Sequence, residues 1–250
     1  MDYANRHAWI DPRTERDTAM HLNADFSRRA VVHAGTLDWV ASPMAGVHRR
    51  MLDRIGDEVA RATSIVRYAP ASHFSPHVHD GGEEFLVLDG VFQDEYGDYP
   101  TGSYVRNPPT SRHTPGSPAG CTIFVKLWQF DLADRTRVRI GTASRSYVPA
   151  AARPSVSVLP LFQDSVEQVR LEQWASGAAV DIAAPGGLEL LVLAGSFTEQ
   201  GEQFVVHSWL RLPSGAPFAG VTGPVGCCVW VKSGHLAEVH DGPWRSFAAG

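Results

Sequence analysis

The chain has 250 residues, with 22 Lys and Arg against 27 Asp and Glu, a formal net charge of −5. That mild acidity excludes a nucleic-acid binder working through a basic surface and a polybasic membrane anchor. Hydrophobic residues make up 44%, and 23 Gly and 17 Pro punctuate them, which excludes a disordered chain and suits a turn-rich globular protein better than a helix bundle.

No apolar run approaches the roughly 20 residues of a membrane helix. The N-terminal MDYANRHAWIDPRTERD has no apolar core of the secretory kind. Three cysteines (Cys121, Cys227, Cys228) form neither a CxxC pair nor a disulfide framework, so any metal must be held mainly by His and carboxylate. The expectation is a cytoplasmic protein whose partner is a small-molecule ligand or substrate, with no nucleic acid and no membrane.

Residues 1–30 are polar and arginine-rich, with scattered anchors at Trp9, Ile10, Met20 and Leu22, and read as an arm packed on one domain. Residues 51–59, MLDRIGDEV, predict a hairpin around Ile55-Gly56-Asp57. ATSIVRYAP (62–70) is a β-rich run stopped by Pro70. FLVLDGVF (85–92) is another, and CTIFVKLWQF (121–130) alternates Ile123, Val125 and Leu127 against Phe124, Lys126 and Trp128. The turn signals HDGGE, EYGDYPTG, NPPTS and PGSPAG lie at short intervals between such runs. The pattern is all-β, a sandwich or barrel. Residues 131–154 carry Arg135, Arg137, Arg139, Arg145 and Arg153, which read as the solvated face of an edge strand and linker rather than an anion patch.

An internal repeat sets the organisation. GGEEFLVLDG (81–90) and GGLELLVLAG (186–195) agree at seven of ten positions, at an offset of 105. Phe92 aligns with Phe197, Arg106 with Arg211 and Pro108 with Pro213. After one inserted residue GCTIFVK (120–126) aligns with GCCVWVK (226–232). A repeat of this length is domain-sized. The expected division is 1–140, an arm plus a metal-binding domain, and 141–250, a second copy without metal ligands. A homo-oligomer is expected, with the second copy as the contact surface.

His77-x-His79 is followed by Glu83, and His113 lies thirty residues further on. Alternation puts His77 and His79 on one strand face, and the turn at 80–82 returns the chain so that Glu83 stands beside them. Three imidazoles and one carboxylate suit one divalent metal ion: Zn, Fe(II), Mn or Ni. Glu84 faces the other side of its strand, and His73 is read as peripheral. The second copy is an internal control: it carries Ile182, Ala184, Leu188 and Phe218 where the first has the four candidate ligands. Lys126 and Arg106 persist as Lys232 and Arg211 and read as structural. Phe74, Phe92, Tyr104, Phe124 and Trp128 are candidates to wall the metal pocket, and no residue stands out as a general base.

His77-x-His79-x3-Glu83-x6-Gly90 resembles the first cupin motif, and DEYGDYPTGSYVRNPPTSRH resembles a variant second motif. Val105 stands where that motif usually places its His, and His113 supplies the ligand later. With GGEE, VRNPP, SRHTP and FVKL, this is similar to the ChrR-like cupins over about 33–130, and more weakly over 156–240. The resemblance implies two tandem jelly-roll barrels, a bicupin. Its branch includes the cupin domain of the anti-sigma factor ChrR and relatives of acetylacetone dioxygenase. It therefore implies either a metal-dependent dioxygenase acting on a small diketone-like carbonyl compound or a non-enzymatic zinc-binding sensor. The Cys-bearing helical domain with which ChrR grips its sigma factor has no counterpart here, so a sigma factor is not an expected partner. Glu83 departs from the three-histidine set of the diketone dioxygenases.

Overall fold

The computed structural model describes residues 20–239, which form β-strands with two short 3₁₀ turns at Ala34–Thr36 and Thr142–Ser144. The main sheet of the first barrel runs in the order His21–Leu22, Val47–Ile55, Arg61–Tyr68, Cys121–Leu127, Glu83–Asp94, Ser103–Asn107, Val138–Gly141. The second runs Val148–Ala150, Arg153–Gln163, Gln168–Trp174, Phe218–Ser233, Leu188–Glu199, Ser208–Leu212, Ala30–His33. The middle five strands correspond one to one, so the sequence repeat is a repeat of fold: two jelly-roll barrels in tandem. The expected hairpin joins Val47–Ile55 to Arg61–Tyr68.

Each central strand has two buried faces. Phe85 and Val87 join Val66, Val105, Ile123 and Val125 in the core of the first barrel. Leu86 points the other way, and packs with Ile65, Tyr104, Phe124, Leu171, Leu191, Trp209 and Trp230 between the barrels. Leu188, Leu190, Phe197, Phe204, Phe218 and Val229 fill the second barrel. Burial on both faces is why FLVL reads as an apolar run, and why both alternating sets of IFV in the next strand are apolar.

Several of the charged residues common to both copies meet in the layer between them. Lys126 pairs with Glu189, and its counterpart Lys232 pairs with Glu84 at 2.6 Å. Arg106 reaches Glu167 at 2.9 Å and Arg211 reaches Asp53 at 3.0 Å. Every one of these bonds crosses from one barrel to the other, in the reciprocal manner of a twofold interface. Buried charges of this kind are tolerated only when paired.

The barrels also exchange edge strands. Ala30–His33, ahead of the first copy, pairs with Ser208–Arg211 of the second barrel. Val138–Gly141, ahead of the second copy, pairs with Ser103–Arg106 of the first. The expected boundary after residue 140 falls inside this second exchanged strand. The described part of the N-terminal arm touches both barrels rather than one: His21–Leu22 pairs with Arg54–Ile55, and the Phe26 ring lies between Arg61 and Arg211, 4.2 and 4.0 Å from their guanidinium carbons. Trp9 and Ile10 lie outside the described residues. Of the arginines in 131–154, Arg137 and Arg139 lie over the Tyr96 ring, and Arg153 forms a bidentate pair with Glu172.

Gly90 and Gly195 show why two glycines recur in the repeat. Both have positive φ, +73° and +70°, and a Cβ at either would sit 2.2 or 2.1 Å from the carbonyl oxygen of Gly120 or Gly226.

Candidate metal centre

The short strand His77–His79 pairs antiparallel with Ser111–His113, which puts His77 directly opposite His113. Alternation turns His77 and His79 inward and leaves Val78 50% exposed. The chain then turns through Gly81 and Gly82 under the rings of Trp128 and Phe130, where a Cβ would come within 2.1 and 2.5 Å of ring carbons. It enters strand Glu83–Asp94 with Glu83 opposite both Asn107 and Leu127.

This brings the four candidate ligands together. The ligand nitrogens of His77, His79 and His113 all lie within 4.8 Å of one another. His79 Nε2 and His113 Nε2 are 2.9 Å apart, and Glu83 Oε2 lies 3.5 and 3.6 Å from them. Separations of 2.9–3.6 Å are those between atoms each about 2.1 Å from one shared ion.

The surroundings fix which atoms face inward. His77 Nδ1 donates to the Ser75 carbonyl at 3.1 Å, and His113 Nδ1 to Asp94 Oδ2 at 3.3 Å. Both acceptors lack a proton to give, so in the neutral form of either ring the proton sits on Nδ1 and the lone pair on Nε2. Asn107 Nδ2 donates to Glu83 Oε2 at 3.1 Å, and Asp94 also accepts from the Tyr99 hydroxyl at 3.0 Å and the Tyr96 N–H at 2.8 Å. Burial lowers the pKa of His79. Burial also disfavours the charged form of His113, but the Asp94 hydrogen bond and the charges of Glu83 and Asp94 outweigh it and raise its pKa. For Glu83, burial opposes ionisation, yet His79, His113 and Asn107 hold the carboxyl below its usual range. The residues fit a metal: three imidazole nitrogens and a carboxylate oxygen converge on one point.

Of the candidate wall residues, Phe92 lies 5.9 Å from His113 between ring centroids, and Phe74 is linked to it through Tyr68 by contacts of 5.3 and 5.8 Å. Trp128 covers the Gly81 turn. Tyr104 and Phe124 do not wall the pocket. Their neighbours Val105 and Val125 take the inward positions, so alternation sends Tyr104 to Glu84, at 3.0 Å, and Phe124 to Trp230, at 4.8 Å, in the layer between barrels. His73 is exposed.

Sequence reasoning missed Asp94 and Asn107, which bond His113 and Glu83. Burial and the Glu83 charge raise the pKa of Tyr68, so its phenol stays protonated inside the barrel. The repeat held a signal for two members of this outer ring: Asn107 aligns with Leu212, and Tyr99, which bonds Asp94, aligns with Phe204.

In the second barrel Ile182 lies opposite Phe218, as His77 lies opposite His113. Ile182, Ala184, Leu188 and Phe218 are all buried in the core, packed with Trp174, Phe197 and Phe204. The ring of Phe197 stacks on Phe204 at 4.6 Å and meets Phe218 edge-on at 5.4 Å. The pole that holds imidazoles in one barrel is solid aromatic packing in the other.

Residues 27–131 match the ChrR cupin-like domain family. Among curated proteins none matches the chain. Solved structures of the cupin type resemble it over most of its length. A candidate dioxygenase from Nostoc punctiforme has TM-score 0.69 and 15% identity, over 86% of this chain and 85% of its own. The pirin YhhW of Escherichia coli in complex with nickel(II) has TM-score 0.57 and 15% identity, over 82% and 98%. A single-residue mutant of salicylate 1,2-dioxygenase from Pseudoaminobacter salicylatoxidans has TM-score 0.51 and 10% identity, over 70% and 70%. At these identities the likeness establishes the shared fold.

Proposed function

We propose that this chain, whose residues 27–131 belong to the ChrR cupin-like family and whose two barrels form a bicupin, is a metal-dependent dioxygenase-type enzyme acting on a small, diketone-like carbonyl compound in its first barrel. One observation carries the reading: His77, His79, His113 and Glu83 converge in the first barrel, and the corresponding positions of the second are apolar.

A divalent ion held there would supply Lewis acidity, stabilising the enolate of a dicarbonyl compound and bringing it together with dioxygen. The chain does the rest. Ser75 and Asp94 orient His77 and His113, and Asn107 steadies Glu83. Phe92 and Phe74 keep water from one side.

The test is oxygen uptake by Fe(II)-, Mn(II)- and Ni(II)-loaded protein with acetylacetone and a panel of related dicarbonyls. Turnover that disappears in His77→Ala supports the reading, and no uptake with any metal or compound sinks it. The family match also favours a second reading, a zinc-binding sensor. X-ray absorption on protein purified from its native host separates the two. Zinc closed by four protein ligands marks the sensor, and a redox-active ion with water still bound marks the enzyme.

A further inference from the structure

The first barrel holds two arginines with poorly matched charge. On strand Val47–Ile55, Val47 faces the barrel core, and Arg49 and Met51 share its face by alternation. A bulge between Met51 and Asp53 then shifts the register, so that Arg54 stands opposite Ala62. Ala62 stands opposite Leu127, and Leu127 opposite Glu83. Arg54 thus occupies the same cross-strand row as Glu83, three strands away. That is about 14 Å between Cα atoms along the sheet, and less across a curved barrel.

Arg54 is 4% exposed, yet among the described residues its guanidinium makes one hydrogen bond, from Nε to the Gly56 carbonyl at 3.0 Å. Arg49 Nε is buried without a partner. The carboxylate nearest Arg49, Glu58, lies 3.5 Å away with its side chain 62% exposed. Burial and then the neighbouring Arg49 charge lower the pKa of Arg54, as expected of a cation without a buried counterion.

The second barrel again serves as a control. Strand Arg153–Gln163 carries the same bulge, between Pro160 and Phe162. Val156 opposite Trp174 answers to Val47 opposite Tyr68, and Trp174 and Tyr68 lie opposite the equivalent Cys227 and Cys121. In this register Arg49 corresponds to Val158 and Arg54 to Gln163. Both cations are absent from the copy without metal donors, whereas the interface arginine Arg106 keeps its counterpart Arg211.

Resting on the enzyme reading above, we infer that Arg49 and Arg54 form the anion-binding end of the first barrel's pocket, so that the compound it takes carries a carboxylate as well as the carbonyl group that meets the metal. The guanidinium fork suits that partner, because its paired N–H groups match the two oxygens of a carboxylate.

Isothermal titration calorimetry of the Mn(II)-loaded full chain with 4,6-dioxoheptanoate and with its methyl ester isolates the charge, since both carry the same diketone. The carboxylate is expected to bind about tenfold or more tightly than the ester. The double variant R49V/R54Q, which takes the second barrel's residues, is expected to bring the two affinities together with metal content unchanged. Should that variant fail to fold, Arg49→Val alone is expected to narrow the gap. Equal affinities in the natural protein, or a preference that survives these substitutions, would overturn the anchor and leave the metal reading standing. If neither compound binds, the anchor and the diketone reading fall together.

Discussion

At matching points of the two barrels, one strand pair holds His77 against His113 and the other holds Ile182 against Phe218. The strand order, the bulges, the tight glycine crossings and the lysine–glutamate exchange are common to both. What differs is a connected set: the four candidate ligands, then Asn107 and Tyr99 behind them, then Arg49 and Arg54 along the wall. The difference teaches that scaffold and site are separable here. The barrel folds without polar groups at its pole, so their presence in the first barrel needs a reason other than folding.

The comparison breaks most completely with His113→Ala. Elemental analysis is expected to show metal falling from near one ion per chain to near none. The matching change in the other barrel, Phe218→Ala, is expected to leave metal content intact and cost about 3–5 kcal/mol in urea unfolding, because it empties a packed aromatic site. Metal loss in Phe218→Ala would show that the poles are not independent.

Next in size is Lys126→Met, which leaves Glu189 at the interface with His235 as its remaining partner. A loss of about 3–5 kcal/mol is expected near neutral pH. Burial works against ionisation of Glu189, but Lys126 and His235 hold its carboxyl well below the usual range. That stabilisation is in place above the unfolded carboxylate value and is lost as pH falls through the lower folded one. The gap between variant and natural protein should therefore narrow in acid. Urea titrations at several pH values check the trend.

Asp94→Asn sharpens the comparison at the site itself. Metal affinity at high pH is expected to fall about 10–100-fold, since the carboxylate that orients His113 is lost. The raised pKa of His113 means that an ion must displace a proton there, so loading weakens as pH falls through that value. With an amide in place of the carboxylate the midpoint would move to lower pH, read by metal titration across a pH series. The smallest effect is expected from Asn107→Leu, which imports the residue type of Leu212: about a tenfold loss of metal affinity with stability little changed.

The sequence displayed much of this. The candidate ligands were legible because His77 and His79 are two apart and the repeat replaces all four donors at once. The glutamate–lysine set was legible as architecture because both copies keep it. Tyr104 and Phe124 were misplaced because alternation states only that a strand has two faces. Which face looks into a barrel and which meets the other barrel depends on chain far away. Asp94 escaped notice because its partner His113 is 19 residues off, on a strand of a separate two-stranded sheet.

By itself, then, the chain specified two copies of one β-fold, the candidate donors that distinguish them and the β character of the repeated runs, all of which are local properties. Packing decided that the copies trade edge strands and salt bridges, and that Arg54 shares a row with Glu83 through two intervening strands. Those relations are set by non-local pairing and by a one-residue bulge, and a bulge redirects every side chain beyond it without a mark that composition or spacing reveals.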